Sequence, residues 1–372
     1  MYTSHQPSNQ LKHFLIPMLM LVSVLLPDSR LIASEKDPND AGAVLLVLED
    51  CDSDNKRFGD VVSLLNSKGE LVRVVSRNIR IQGEYSGFSI SEDGCFFAVC
   101  ERESNRLVVY ETANGREKWS LSGIFNSAVF ANNLLYASIP GGIFAINNKG
   151  MVVKHVRMDA YDIAFDQAHE CFWISGLYVQ KCNMDLEPVL TVKRISSRGG
   201  PLFVEVNPDG SIWVTQSDIY EKYYKGTQMY KVSPEGKVLK TIDLDFVPKS
   251  VRINKSDSSV WTTGIIKERD YSAIGDDWPD TLDELNKLIR IITKTFTRKY
   301  DSEGNLIFEI NRGGYSIELD QSDGSAWIGD KTNIWHYSAN GRQIGSYAGT
   351  TGARKWYAVI SNKNQSNKPN AK

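Results

Sequence analysis

"NPDGSIWVTQSD" occupies Asn207 to Asp218, and the chain writes nearly the same phrase again as "QSDGSAWIGDKT" from Gln321 to Thr332. Each copy is a tight turn carrying Asp-Gly, then a short apolar run with tryptophan three residues after the glycine, then a polar exit. The glycine supplies the positive φ that such a turn needs, and the run behind it reads as a strand. A large aromatic returning at a fixed distance from a turn implies a space that itself recurs, so the whole chain has to be searched for the unit.

Working outward, the aromatic recurs as Phe97 in "GCFF", Tyr136 in "NLLY", Trp173 in "ECFW", Trp213 in "GSIW", Trp261 in "SSVW" and Trp327 in "GSAW". Upstream of each lies a short alternating run: "FSIS", "AVFA", "IAFD", "VEVN", "VRIN" and "IELD". Downstream, a second polar turn flanked by apolar residues places Gly69, Gly115, Gly150, Gly236, Gly304 and Gly341, and one unit has "CNMDLEPVL" there instead. The unit is therefore strand, turn, strand with aromatic, loop, strand, turn, strand, on a basic period of about 40 residues, which is a four-stranded propeller blade. Radial stacking buries both faces of such a sheet, and the six aromatics are expected to be equivalent plugs between neighbouring blades. The fold class is all-β.

The segment from Ala43 to Ser76 supplies three strands without an innermost one, and "WYAVIS" from Trp356 to Ser361 offers the missing strand at the other end of the chain. Pairing these closes a ring of seven blades, with one propeller domain over 41–361; six blades is the alternative if a terminal segment is peripheral. Three second-to-third-strand connections are enlarged, at 49–60, 216–228 and 264–299. Because they occupy one position in the blade, they emerge at one end of the ring. In the largest, "DTLDELNKLIRIITK" begins at Asp280 and places Leu282, Leu285, Leu288, Ile289 and Ile292 at helical spacing, so a short helix is expected. Tyr220, Tyr223, Tyr224, Tyr271 and Trp278 lie in the second and third insertions. Either they form a contact surface for a protein, peptide or glycan, or they pack beneath the insertion.

The innermost strands hold a second departure. Their middle positions carry Ser89, Val129, Ala164 and Val359 in four blades but Glu205, Arg252 and Glu318 in three consecutive ones. Symmetry brings these charges to one level at the axis, either as a self-satisfied cluster or as a polar ligand site.

The termini and composition set the outer bounds. Lys12 and His13 precede the run from Phe14 to Leu26, and Ala33 and Ser34 suit cleavage, so 1–34 reads as a signal peptide and the protein as secreted or periplasmic. An uncleaved anchor is the alternative; no membrane span is expected after cleavage. The tail at 362–372 is polar and expected to be disordered. A net charge of −2, from 43 basic and 45 acidic residues, gives no electrostatic reason for a nucleic-acid partner. Cys51, Cys95, Cys100, Cys171 and Cys182 fit no metal or redox spacing and read as small hydrophobes, with one disulfide allowed. Asp50, Asp52 and Asp54 start like a calcium loop, but Asn55 and Val61 stand where its glycine and glutamate belong, leaving a solvated acidic loop. His155, His169 and His336 form no metal pair, and nucleophile-elbow, zinc-protease, phosphate-loop and dinucleotide motifs are all lacking. No metal site and no cofactor is expected.

The units "VNPDGSIWVTQSD" and "YKVSPEGKVLKTIDL", with "LDQSDGSAWIGDKTNIWHYSANGRQIGSY", resemble the repeats of secreted bacterial propellers of the NHL and streptogramin-lyase-like group over most of residues 87 to 350. In the virginiamycin B lyase subgroup, that resemblance implies a histidine and carboxylates holding magnesium at the central site. Here no histidine falls on an innermost strand or an enlarged loop, so no catalytic residue is carried over. "YETANGREKWSLSG", with Trp119, resembles a single quinoprotein repeat. The expected function is that of an exported binding or scaffold propeller, working through loops at 216–228 and 264–299. The alternative is a metal-dependent lyase or hydrolase at the channel mouth, using Glu205, Arg252 and Glu318.

Overall fold

The computed structural model describes residues 44–50, 60–79, 87–101, 104–196, 202–216, 227–270, 290–314, 316–330, 333–348 and 354–360. Among them are 28 strands and no helix. The strands form seven four-stranded antiparallel sheets, blades 1 to 7 in chain order of their second strands. From blade 1 to blade 7 the innermost strands are Arg354–Ile360, Phe88–Ile90, Ser127–Ala131, Asp162–Asp166, Leu202–Val206, Val247–Ile253 and Ser316–Leu319. Each touches the next, and blade 7 touches blade 1, so they close a circle around an axis. Blade 1 is composite as expected: Arg354–Ile360 pairs antiparallel with Val44–Asp50, matching Ile360 to Val44 and Trp356 to Leu48.

Burial within a blade follows from this stacking. Second strands are covered on both faces, and Cys171–Ser175 and Ile212–Gln216 are buried at every position. Outer strands have one wet face and alternate, as in Glu117–Ser122 and Gln343–Ala348. The hydrophobic core is correspondingly divided into seven clusters, one in each gap between adjacent blades.

Tyr136, Trp173, Trp213, Trp261 and Trp327 each fill the gap toward the following blade. Phe97 does not: it faces backward, packing with Leu46, Leu48 and Val62 of blade 1. The reason is one extra residue. In blade 5 the turn from Asn207 to Gly210 hands over at once to Ser211, which pairs with Asn207; in blade 2 the matching turn, Ser91 to Gly94, is followed by Cys95, and pairing resumes only at Phe96. A slip of one residue sends a strand side chain to the other face. The residue that occupies the forward plug position is Ala98, opposite Ser89.

Four of the plugs are backed by a basic residue directly across on the third strand: Lys181 for Trp173, Lys231 for Trp213, Lys299 for Trp261 and His336 for Trp327. Lys181 Nζ donates to the Pro234 carbonyl at 3.3 Å, Lys231 Nζ to Ser302 at 2.6 Å and Lys299 Nζ to Ala339 at 2.9 Å. Each acceptor sits in the outer turn of the following blade. His336 stacks on Trp327 with ring centroids 3.8 Å apart, and it bonds the Ser67 backbone of blade 1. An indole and a lysine thus tie blades 4, 5 and 6 to their neighbours, and in blade 7 a histidine whose burial disfavours its charged form takes the lysine's place.

The 264–299 insertion differs from expectation. Gly264 to Asp270 and Arg290 to Lys299 are strand, paired in unbroken register out to Asp270 opposite Arg290. Ile292, counted above as the last residue of a helical stripe, lies on that strand and is exposed. Long β-branched runs on both sides favour a ribbon over the helix that the leucine spacing suggested. Leu282, Leu285, Leu288 and Ile289 lie outside the described residues, as do 1–43 and 361–372. Cys95, Cys100, Cys171 and Cys182 are free thiols, and all but Cys95 are buried.

Candidate functional site at the propeller axis

Glu205, Arg252 and Glu318 each stand opposite a plug tryptophan in register, on Trp213, Trp261 and Trp327 respectively. Equal register puts them at one level of three adjacent innermost strands, and the side chains meet. Arg252 Nε donates to Glu318 Oε2 at 2.9 Å, Arg252 Nη1 donates to the Val251 carbonyl at 2.8 Å, and Glu205 Oε2 lies 3.9 Å from Nη1. Their side chains keep 32, 26 and 18 % exposure for Arg252, Glu205 and Glu318, so water reaches a cluster that protein otherwise encloses.

Asp162 completes the group. It opens the innermost strand of blade 4 and accepts three hydrogen bonds: from Ser127 Oγ of blade 3 at 2.7 Å, from Val204 N of blade 5 at 3.2 Å, and from Ile163 N at 3.0 Å. One carboxylate thereby ties three innermost strands. Reading only the middle position of each strand missed it; an acid opening an alternating run at the axis was the available signal.

The electrostatics are uneven. Burial pushes the Glu205 carboxyl up to about 7, with Glu318 and Asp162 adding to the rise while Arg252 and Lys255 oppose it. Burial also raises Asp162, against the pull of its hydrogen bonds and of Arg252. The two carboxylates beside Arg252 hold its charge more firmly than an exposed arginine's. Near neutral pH the cluster therefore offers one firm Arg252–Glu318 pair and, in Glu205, a carboxyl able to donate or accept a proton.

Tyr220, Tyr223, Tyr224, Tyr271 and Trp278 lie outside the described residues. Among the described residues, no three His, Cys, Asp or Glu side chains converge as metal ligands. His169 Nδ1 instead bonds Asp166 Oδ2 at 2.8 Å, away from the axis in the inner turn of blade 4.

At the end of blade 6, the second and third strands outrun their neighbours. The innermost strand pairs only as far as Ile265 and the outer strand only from Thr297, so Ile266 to Asp270 and Arg290 to Phe296 form a two-stranded ribbon with both edges unpaired by the blade.

No protein-family model matches the sequence, and no curated protein matches it. Among solved structures, the chain is similar to a functionally unknown protein from Desulfotomaculum acetoxidans, at 12 % identity over 86 % of this chain and 99 % of that one, with a TM-score of 0.59. It is also similar to hydrazine synthase from Kuenenia stuttgartiensis, at 9 % identity over 69 % of this chain and 77 % of that one, with a TM-score of 0.52. The β-propeller domain of Cps50 (Swd1) from Myceliophteria thermophila matches at 11 % identity over 73 % of this chain and 88 % of that one, with a TM-score of 0.49. At such identities the likeness is one of fold.

Proposed function

We propose that the protein is an exported binding propeller, of the NHL-like repeat type, which captures a protein or peptide at the end of the ring bearing the blade 6 ribbon. What supports this reading most is the ribbon itself. A strand edge that its own blade does not pair is a template for an incoming strand, which is the geometry of β-augmentation. The second-to-third-strand connections of blades 5 and 6 carry Tyr220, Tyr223, Tyr224, Tyr271 and Trp278, the aromatics that the sequence marks as a candidate contact surface. Glycan recognition by the same aromatics is the variant reading; export rests on the reading of the apolar run from Phe14 to Leu26 as a signal peptide.

The test keeps the ring intact. Replacing 268–292 with Asn-Gly joins Lys267 to Thr293, which already face each other in register. The shortened protein is expected to fold with an unchanged far-ultraviolet spectrum and to lose at least tenfold in capture of the partner that the full chain retains. Undiminished capture overturns the proposal.

Glu205 favours a second reading, acid–base chemistry at the axis, because a carboxyl near pH 7 suits proton transfer. A stoichiometric divalent ion in the purified protein, lost on Glu205→Gln, would rank that reading first.

A further inference from the structure

The gap between blades 2 and 3 is built unlike those that follow. Read across the second, third and outer strands, blade 6 presents Trp261, Lys299 and Phe308 toward its neighbour. The same row in blade 2 is Ala98, Val109 and Trp119. The indole has moved two strands outward, to lie against Gly150 of the next blade's outer turn, and the cation has gone. Its acceptor position remains. Pro234, Ser302 and Ala339 each stand second in their outer turns, after Ser233, Asp301 and Ser338, and in blade 3 that place belongs to Asn148, after Asn147. Among the described residues no side chain donates to the Asn148 carbonyl.

What this leaves is a cleft of about 340 Å³, within the size range of small-molecule sites. Val109, Trp119, Phe130 and Leu135 are among its apolar walls, and Glu92, Asp93 and Asn148 lie among its polar lining. Lys118 is the one cation in the lining, and its Nζ is held 3.5 Å over the Phe96 ring. Asp93 accepts from Ser91 Oγ and the Cys95 amide, and these bonds keep its carboxyl below the usual range despite some burial. The lining is thus apolar within, and its fixed acceptors and carboxylates suit a positive group.

We propose that this cleft binds a small aromatic amine. Its ring packs in the cleft beside Trp119 and Val109, and its ammonium group takes the place of the lysine that in blades 4, 5 and 6 reaches the next blade's turn. The site is separate from the blade 6 ribbon, so shortening that ribbon leaves it untouched.

Tryptamine is the probe, titrated calorimetrically into the full chain beside indole-3-acetate, which has the same ring and the opposite charge, and butylamine, which has the charge without a ring. One saturable site is expected, at least tenfold tighter for tryptamine than for either control. Val109→Trp fills the cleft from its wall and is expected to weaken tryptamine binding at least tenfold; should that variant fail to fold, Leu134→Trp narrows the cleft from its half-buried rim to the same effect. No saturable binding of tryptamine, equal binding of indole-3-acetate, or undiminished binding by the folded rim variant overturns the proposal.

Discussion

Glu205 and Glu318 share one guanidinium on unequal terms, with Glu318 at 2.9 Å from Arg252 and Glu205 at 3.9 Å. The nearer carboxylate takes the charge-assisted hydrogen bond, and the farther one keeps more of its desolvation cost. The consequence is a stability that depends on pH. An unfolded glutamate ionises near 4.3, whereas burial holds folded Glu205 to about 7. Below pH 4 both states are protonated and Glu205 costs nothing; as pH rises through the folded value the native state must ionise it, and stability is lost. Linkage puts that loss on the order of 3 kcal/mol. Glu205→Gln is therefore expected to be more stable than the natural chain at pH 8 and to flatten the slope of denaturant midpoint against pH between 5 and 8. A parallel slope in the two proteins would remove Glu205 as its source. The three charges at the middle of their strands were legible in the sequence because a propeller's symmetry converts equal register into equal height. Asp162 was not, because its role depends on two blades that the sequence does not place beside it until the ring is built.

Between blades, the repeating element is the indole with its facing cation. Trp261 and Lys299 are both buried; the Lys299 ammonium lies 5.4 Å from the indole centroid and donates to Ala339 at 2.9 Å. Removing the ring leaves a large cavity, so Trp261→Ala is expected to cost about 3–5 kcal/mol. Lys299→Met keeps the packed stem but leaves the Ala339 carbonyl without its donor, for about 1–3 kcal/mol. Lys118→Met, at an exposed lysine with no such acceptor, is expected to change stability by less than about 0.5 kcal/mol. Urea unfolding of the three variants checks the order, and equal effects at Lys299 and Lys118 would deny the latch. The tryptophans were readable because each follows its turn at constant distance. Phe97 follows at the same distance and was misplaced, since only the pairing of Ser91 with Phe96 reveals that Cys95 is an extra residue. The ribbon was misread for a related reason: "DTLDELNKLIRIITK" satisfies helical spacing, yet its last five residues, Arg290 to Lys294, are held by register to Ile266–Asp270.

At the scale of the ring, every gap is crossed by chain, since Gln343–Ala348 of blade 7 leads into Arg354–Ile360 of blade 1, and the break between the two ends of the chain falls inside blade 1. The chain closes that break by lending blade 1 its innermost strand from the C-terminal end, so that Arg354–Ile360 pairs with Val44–Asp50 while touching the innermost strands of blades 7 and 2. Backbone hydrogen bonds thus fasten the seam, where side-chain packing alone, such as that of Trp327 against Leu45, Val47 and Leu65, would leave the ring free to open. Circular permutation separates these contributions. Joining Ile360 to Val44 through a two-residue turn makes blade 1 continuous, and new termini between Ser196 and Leu202 move the seam to the gap that Trp173 fills, where no strand crosses between ends. Every inter-blade contact among the described residues is kept, so the permutant is expected to fold with the same far-ultraviolet spectrum. Its melting temperature is expected to fall by roughly 5–15 °C, the response of a large domain that has lost several kcal/mol at one seam. Proteolysis should then begin at blades 4 and 5, beside the new ends, rather than at the composite blade. A permutant that melts with the natural chain would mean that side-chain packing alone closes the circle.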